Sequence, residues 1–143
     1  MSKDHDDERP PLGFLLVRIG EAVDRDFVSS LTDLGLKPRH LRLLVLVDRA
    51  GQLNQRDLAG QLGMDPGNLV AILDALEADG LVHRPRSEAD RRHRLVSLTP
   101  SGRRLLVRAL RATAAIDERI LATLPESHRE RLYEMMLSVY RKL

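Results

Sequence analysis

The sequence predicts a mainly α-helical fold with a small two-stranded β-wing, and three observations predict it. Apolar residues recur at helical spacing along both ends of the chain. Proline sits in the first turn after Lys37, Asp65 and Thr99, where its missing N–H costs nothing and marks a helix start. Between the second and third of these the period changes to two short extended runs around a charged tip. At 143 residues the chain suffices for one domain with a core of its own.

Residues 1–11, ending in Pro10-Pro11, read as a flexible polar tail. From Leu12 the positions Leu15, Leu16, Ile19, Val23, Phe27, Leu31 and Leu34 form one helical stripe, with Gly35 as its C-terminal stop. Lys37-Pro38 opens a helix carrying Leu41, Leu43, Leu44, Val45, Leu46 and Val47, apolar nearly all round and so expected to be central. Asn54 caps a short helix, Gln55 to Leu62. After a Gly63-Met64 turn, Asp65-Pro66 starts another, running to Asp79 and burying Leu69, Ile72, Leu73 and Leu76. Leu81 to Arg84 and Arg94 to Leu98 are the two strands, joined by a long charged tip. Thr99-Pro100 begins a long helix with a stripe through Leu105, Leu106, Ala109, Leu110, Thr113, Ile116 and Ile120, which Pro125 breaks. A last helix spans about Glu126 to Lys142.

Composition removes several function classes. There is no Cys, hence no disulfide, thiol nucleophile, thiol redox switch or Cys-based zinc site. With two Phe, two Tyr and no Trp, stacking of single-stranded bases on aromatic platforms is not expected. The five His show no zinc spacing, and neither a Gly-rich phosphate loop nor a Gly-x-Ser-x-Gly elbow occurs, so no metal, no cofactor and no enzyme activity are expected. No apolar run is long enough to span a membrane. The N-terminus is charged where a signal peptide is apolar, so a cytoplasmic protein is expected.

Two short helices joined by a Gly turn and followed by a hairpin are the pattern of a winged helix-turn-helix, here residues 36–99. The helices at 12–34 and 100–143 carry more apolar face than so small a lobe can cover, and read as a dimerisation bundle. Net charge is only +2, yet five Arg face Glu88 and Asp90 between His83 and Arg94, which concentrates basic charge on the wing.

The stretch from Leu34 to Leu105 resembles the MarR family of bacterial transcription regulators. The resemblance rests on Gly35-Leu36-Lys37-Pro38, on Asn54-Gln55-Arg56-Asp57-Leu58-Ala59, and on Leu76-Glu77-Ala78-Asp79-Gly80-Leu81-Val82. The hairpin adds Asp90-Arg91-Arg92-His93-Arg94-Leu95-Val96-Ser97-Leu98-Thr99-Pro100-Ser101-Gly102. It implies an α-helical homodimer that binds a pseudo-palindrome in double-stranded DNA, usually as a repressor and often released by a small aromatic or anionic effector.

Residue chemistry assigns the contacts. Pro66, Gly67, Asn68, Val70, Ala71 and Asp74 face away from the buried set of their helix. Asn68 suits paired hydrogen bonds to adenine or supports the first turn, and Val70 and Ala71 suit thymine methyls. The family often has Thr and Arg at 70 and 71, so fewer hydrogen bonds to base edges are expected here. On the wing, the resemblance has Asp90 brace the loop against an Arg while Arg91 or Arg92 enters the minor groove or grips phosphate. Arg84, Arg86 and Arg94 at the hairpin base suit the DNA backbone, as do Gln55 and Arg56 at a helix N-terminus unless they are plain surface residues. For an effector, the resemblance points to Arg18 and His40. Arg18 can equally pair with Glu21, and His40 can be a surface residue. A protein-interaction adaptor built on the same fold is the alternative class.

Overall fold

The computed structural model describes residues 9–85 and 95–143. Their order is α1 (Leu12–Leu31), a single 3-10 turn (Thr32–Leu34), α2 (Pro38–Ala50), β1 (Gln52–Asn54), α3 (Gln55–Leu62) and α4 (Pro66–Ala78). β2 (Val82–His83), β3 (Leu95–Leu98), α5 (Pro100–Leu121) and α6 (Glu126–Tyr140) follow.

Local chemistry sets the boundaries. Gly35, at φ 65°, takes the left-handed conformation that lets the Leu36 N–H reach back to the Leu31 carbonyl at 3.2 Å. The Asn54 side chain accepts from the Arg56 N–H at 2.8 Å and caps α3. Asp65 Oδ2 caps α4 by accepting from Gly67 at 2.9 Å and Asn68 at 3.2 Å. Thr99 Oγ1 caps α5 by accepting from Gly102 N–H at 3.0 Å. α5 ends at Leu121, ahead of Pro125, which becomes the residue that opens α6.

The sheet has three antiparallel strands in the order β1-β3-β2, where the sequence predicts two. Gln52 pairs with Ser97, Leu53 with Val96 and Asn54 with Leu95; on the other edge Val82 pairs with Leu98. β1 escapes sequence reading because three residues between Gly51 and the Asn54 cap are too few to show a period. Its effect is mechanical: the root of the wing is hydrogen-bonded to the chain that enters α3.

The core lies where the sequence puts it. Leu43, Leu44 and Val47 of α2 meet Leu31 of α1, Leu58 of α3, Leu69 and Leu73 of α4, and Val96 of β3, all fully buried. Ile72, expected inside, is half-buried, and so are Val45 and Leu46 on the far side of α2. α1 packs along α5, helped by an ion pair between Asp26 and Arg119. The terminal helices are largely uncovered: α1 buries only Leu31 fully, and α6 buries nothing fully.

Candidate nucleic-acid interface

The helix-turn-helix angle is fixed by a short set of backbone bonds. Gly63, left-handed at φ 61°, lets the Met64 N–H return to the Ala59 carbonyl at 2.9 Å, so α3 stops sharply and Asp65 starts α4. Arg42 of α2 donates to the Gln61 carbonyl at 3.0 Å and ties the end of α3 to the central helix. With Leu69, Leu73 and Leu76 turned into the core, α4 presents Pro66, Gly67, Asn68, Ala71 and Asp74 to solvent. Val70, expected among them, is half-buried. At the start of α3, Arg56 is exposed and Gln55 half-buried.

Arg84, expected at the DNA backbone, is engaged with α4. Its side chain is only 19% exposed, and it reaches two carboxylates of α4. Nη2 lies 2.5 Å from Asp74 Oδ1 and 2.5 Å from Glu77 Oε2, and Nε lies 3.1 Å from the same Glu77 oxygen. Burial works against the guanidinium charge, but the hydrogen bonds and charges of Glu77 and Asp74 prevail and raise its pKa further. These bonds make Arg84 a brace between the wing root and α4. The partners lie ten and seven positions earlier in the chain, so helical periodicity gives no sign of them. Arg86, Arg91, Arg92 and Arg94, and Asp90 with them, lie outside the described residues.

The residues assigned to an effector have separate partners. Arg18 is exposed and pairs with Glu21 at 2.9 Å, one turn along α1. His40 Nδ1 accepts from the Lys37 N–H at 3.3 Å and closes the first turn of α2. Burial lowers the His40 pKa below its ordinary value, and the charges of Arg39 and Lys37 lower it further, so the ring is neutral at neutral pH and able to accept. His40 also lines an open groove of about 420 Å³ between α2 and α4, with Arg39, Asn68 and Ala71.

A larger cavity, of about 580 Å³, lies between α1, α2 and α5, walled by Phe27, Leu41, Leu46, Leu110 and Thr113 with Arg42 and Asp117 at its polar edges. Sequence reasoning missed it. Its lining residues stand in the apolar stripes and read as core or dimer contacts; the signal available was the excess of apolar positions on α2 over what a single core can use.

Beyond the lobe, α1 exposes Leu12, Phe14, Leu15, Leu16, Val17 and Ile19, and α6 exposes Tyr133, Met135, Met136, Val139 and Tyr140. Apolar exposure on this scale is the kind of surface that marks an interaction site. Among the described residues, no helix is long and apolar enough to cross a membrane.

Known proteins resemble the chain over nearly its whole length. The HTH-type transcriptional repressor Rv2887 of Mycobacterium tuberculosis is 32% identical over 127 residues, covering 89% of this chain and 91% of its own. The structure is similar to that of the transcriptional repressor CouR bound to a 23-mer DNA duplex, with TM-score 0.81, 35% identity, and 91% and 92% of the two chains covered. Rv2887 itself has been solved with DNA (TM-score 0.81, 28% identity, 92% of this chain and 98% of that one). It has also been solved with p-aminosalicylic acid (TM-score 0.75, 30% identity, 90% and 98%). The MarR family model matches residues 36–93, the helix-turn-helix and the first part of the wing. The chain belongs to the MarR family of winged helix-turn-helix transcription regulators.

Proposed function

We propose that the protein is a transcriptional repressor, without catalytic activity, that binds a pseudo-palindromic operator in duplex DNA as a homodimer in the cytoplasm. The observation that carries this reading is the solvent-facing side of α4: a helix capped by Asp65 and braced by Arg84, with Asn68 and the small residues Gly67 and Ala71 presented outward. A helix so mounted fits the major groove. Gln55 and Arg56 at the start of α3 supply phosphate contacts, and the arginines of the wing sequence, Arg86, Arg91, Arg92 and Arg94, supply further basic charge. The apolar faces of α1 and α6 are the dimer surface, and a two-fold pair sets two α4 helices about one DNA turn apart.

The cavity between α1, α2 and α5 is the site of a small effector. Its walls fit a flat apolar body, and Arg42 at its edge fits one anionic group. Rv2887 in complex with p-aminosalicylic acid supports this ligand class. A molecule seated there touches α2, to which α3 is tied by Arg42, and so has a physical route to the spacing of the α4 pair.

Selection of genomic duplex fragments by the purified protein at about 50 and 200 mM salt tests the reading. A recurring pseudo-palindrome retained at the higher salt is the expected result. Diffuse binding that disappears with salt would favour the adaptor instead.

A further inference from the structure

We propose that Asp74 is a second base-reading residue, held by Arg84 so that its free oxygen accepts a hydrogen bond from the N4 amino group of a cytosine. Each half-site then carries that cytosine about two to three base pairs from the base read by Asn68. The inference rests on the reading of α4 as the helix that enters the major groove.

Asp74 stands on the outward face of α4 with its side chain 60% exposed. At about 100° per residue, Asn68 and Asp74 lie on opposite sides of Ala71, each about 60° from it, so they flank one strip of the helix. They are about 9 Å apart along the axis, which is the rise of two to three base pairs at about 3.4 Å each. Asn68 looks toward the α2 groove, and Asp74 toward the wing root, where Arg84 meets it.

A carboxylate at this place is selective because it only accepts. Phosphate repels it. In the major groove guanine offers N7 and O6, and thymine offers O4, all of them acceptors that oppose a carboxylate. Adenine offers its N6 amino group beside the acceptor N7, which suits an amide and not a carboxylate. Cytosine offers an amino donor in a form that Asp can accept.

Arg84 makes this contact feasible. Its Nη2 binds Asp74 Oδ1 at 2.5 Å, and its second hold on Glu77 fixes the guanidinium against α4. The Asp74 rotamer is thereby set before DNA arrives, its charge is partly offset by a cation that it shares with Glu77, and Oδ2 is left for a base. Arg84 is a positioning residue here and touches no base.

The test is selection from a randomised duplex pool by the full-length protein, its Asp74→Ala and Asp74→Asn variants, and Asn68→Ala, each first checked for an unchanged melting temperature. The wild type is expected to prefer cytosine at one base pair per half-site by on the order of tenfold. Asp74→Ala is expected to flatten that position alone, and Asn68→Ala to flatten a different one. Asp74→Asn keeps an acceptor for Arg84 and adds an amide donor, so it is expected to move the preference from cytosine to adenine. Unchanged preferences at every position in both Asp74 variants would overturn the proposal and leave the regulator reading intact. A wild-type protein that selects no sequence would overturn both.

Discussion

Thr99 reaches from the start of α5 to Gly80, at the turn after α4: its Oγ1 donates to the Gly80 carbonyl at 2.6 Å, while its own N–H donates to the Leu81 carbonyl at 3.1 Å. Three elements meet in this one joint: the end of α4, the root of the wing and the long helix α5. Gly102 closes it from below, since a Cβ there would fall within the contact radius of the Leu81 carbonyl oxygen. The Leu-Thr-x-x-Gly run in the sequence is thus a mechanical fastening. Thr supplies the cap and the cross-link, and Gly supplies room for the backbone of the turn.

Gly102→Ala is therefore expected to destabilise the fold by about 2–3 kcal/mol, because backbone and not a flexible side chain must yield. Gly60→Ala supplies the contrast. Gly60 is exposed inside α3 with nothing within 4 Å of an added Cβ, so the change is expected to stabilise by about 0.5–1 kcal/mol through helix propensity. Denaturant midpoints with unchanged slopes check both. Equal midpoints for the two variants would contradict the close approach at Gly102.

His40 gives the stability a defined pH dependence. Its folded pKa lies below the ordinary 6.5, lowered by burial and then by Arg39 and Lys37. As pH falls through 6.5 the unfolded chain takes up the proton first, so stability rises with pH across the window just below 6.5 and is lost on acidification. His40→Gln is expected to narrow the difference in melting temperature between about pH 7.5 and 5.5. A difference as large as that of the wild type would show that the ring carries no such linkage.

The arginines of the wing sequence are expected to contribute by charge. Arg91→Ala with Arg92→Ala is expected to weaken duplex binding and to reduce the slope of log K against log salt by about 0.9 for every phosphate that is no longer neutralised. Titrations at several salt concentrations measure it, and an unchanged slope would take these residues out of the interface.

Leu16→Glu places a charge on the exposed apolar face of α1, where Leu16 is 40% exposed in the single chain. Dissociation of the dimer at micromolar concentration is expected, with operator affinity reduced by roughly a hundredfold or more, since two half-sites no longer bind as one unit. Sedimentation and duplex titration on the same sample decide it. Wild-type affinity in a demonstrated monomer would contradict the dimer surface.

What the sequence made legible was local. Asn54, Asp65 and Thr99 cap the helices they were expected to cap, because a cap is decided within three residues. The core of α2 and α4 was readable from spacing, except that Val45, Leu46, Val70 and Ile72 sit at the edges of the buried arc, where periodicity does not resolve half-burial from burial or exposure. What stayed hidden depends on pairing across the fold. β1 is too short to show a pattern before β3 is beside it. Arg84 reads as one more basic residue of the wing until α4 brings Asp74 and Glu77 against it. The cavity between α1, α2 and α5 is made by three stripes that fail to close, and no one stripe shows that.

Two chains are expected on one operator, each placing α4 in a half-site about one helical turn from the other. The decisive measurement is the native mass of the protein–DNA complex on the selected duplex, repeated with one half-site scrambled and with the spacing lengthened by about half a turn. Two chains per duplex are expected, with tight binding abolished in both altered duplexes. One chain bound at full affinity, or indifference to the half-site spacing, would overturn this picture of recognition.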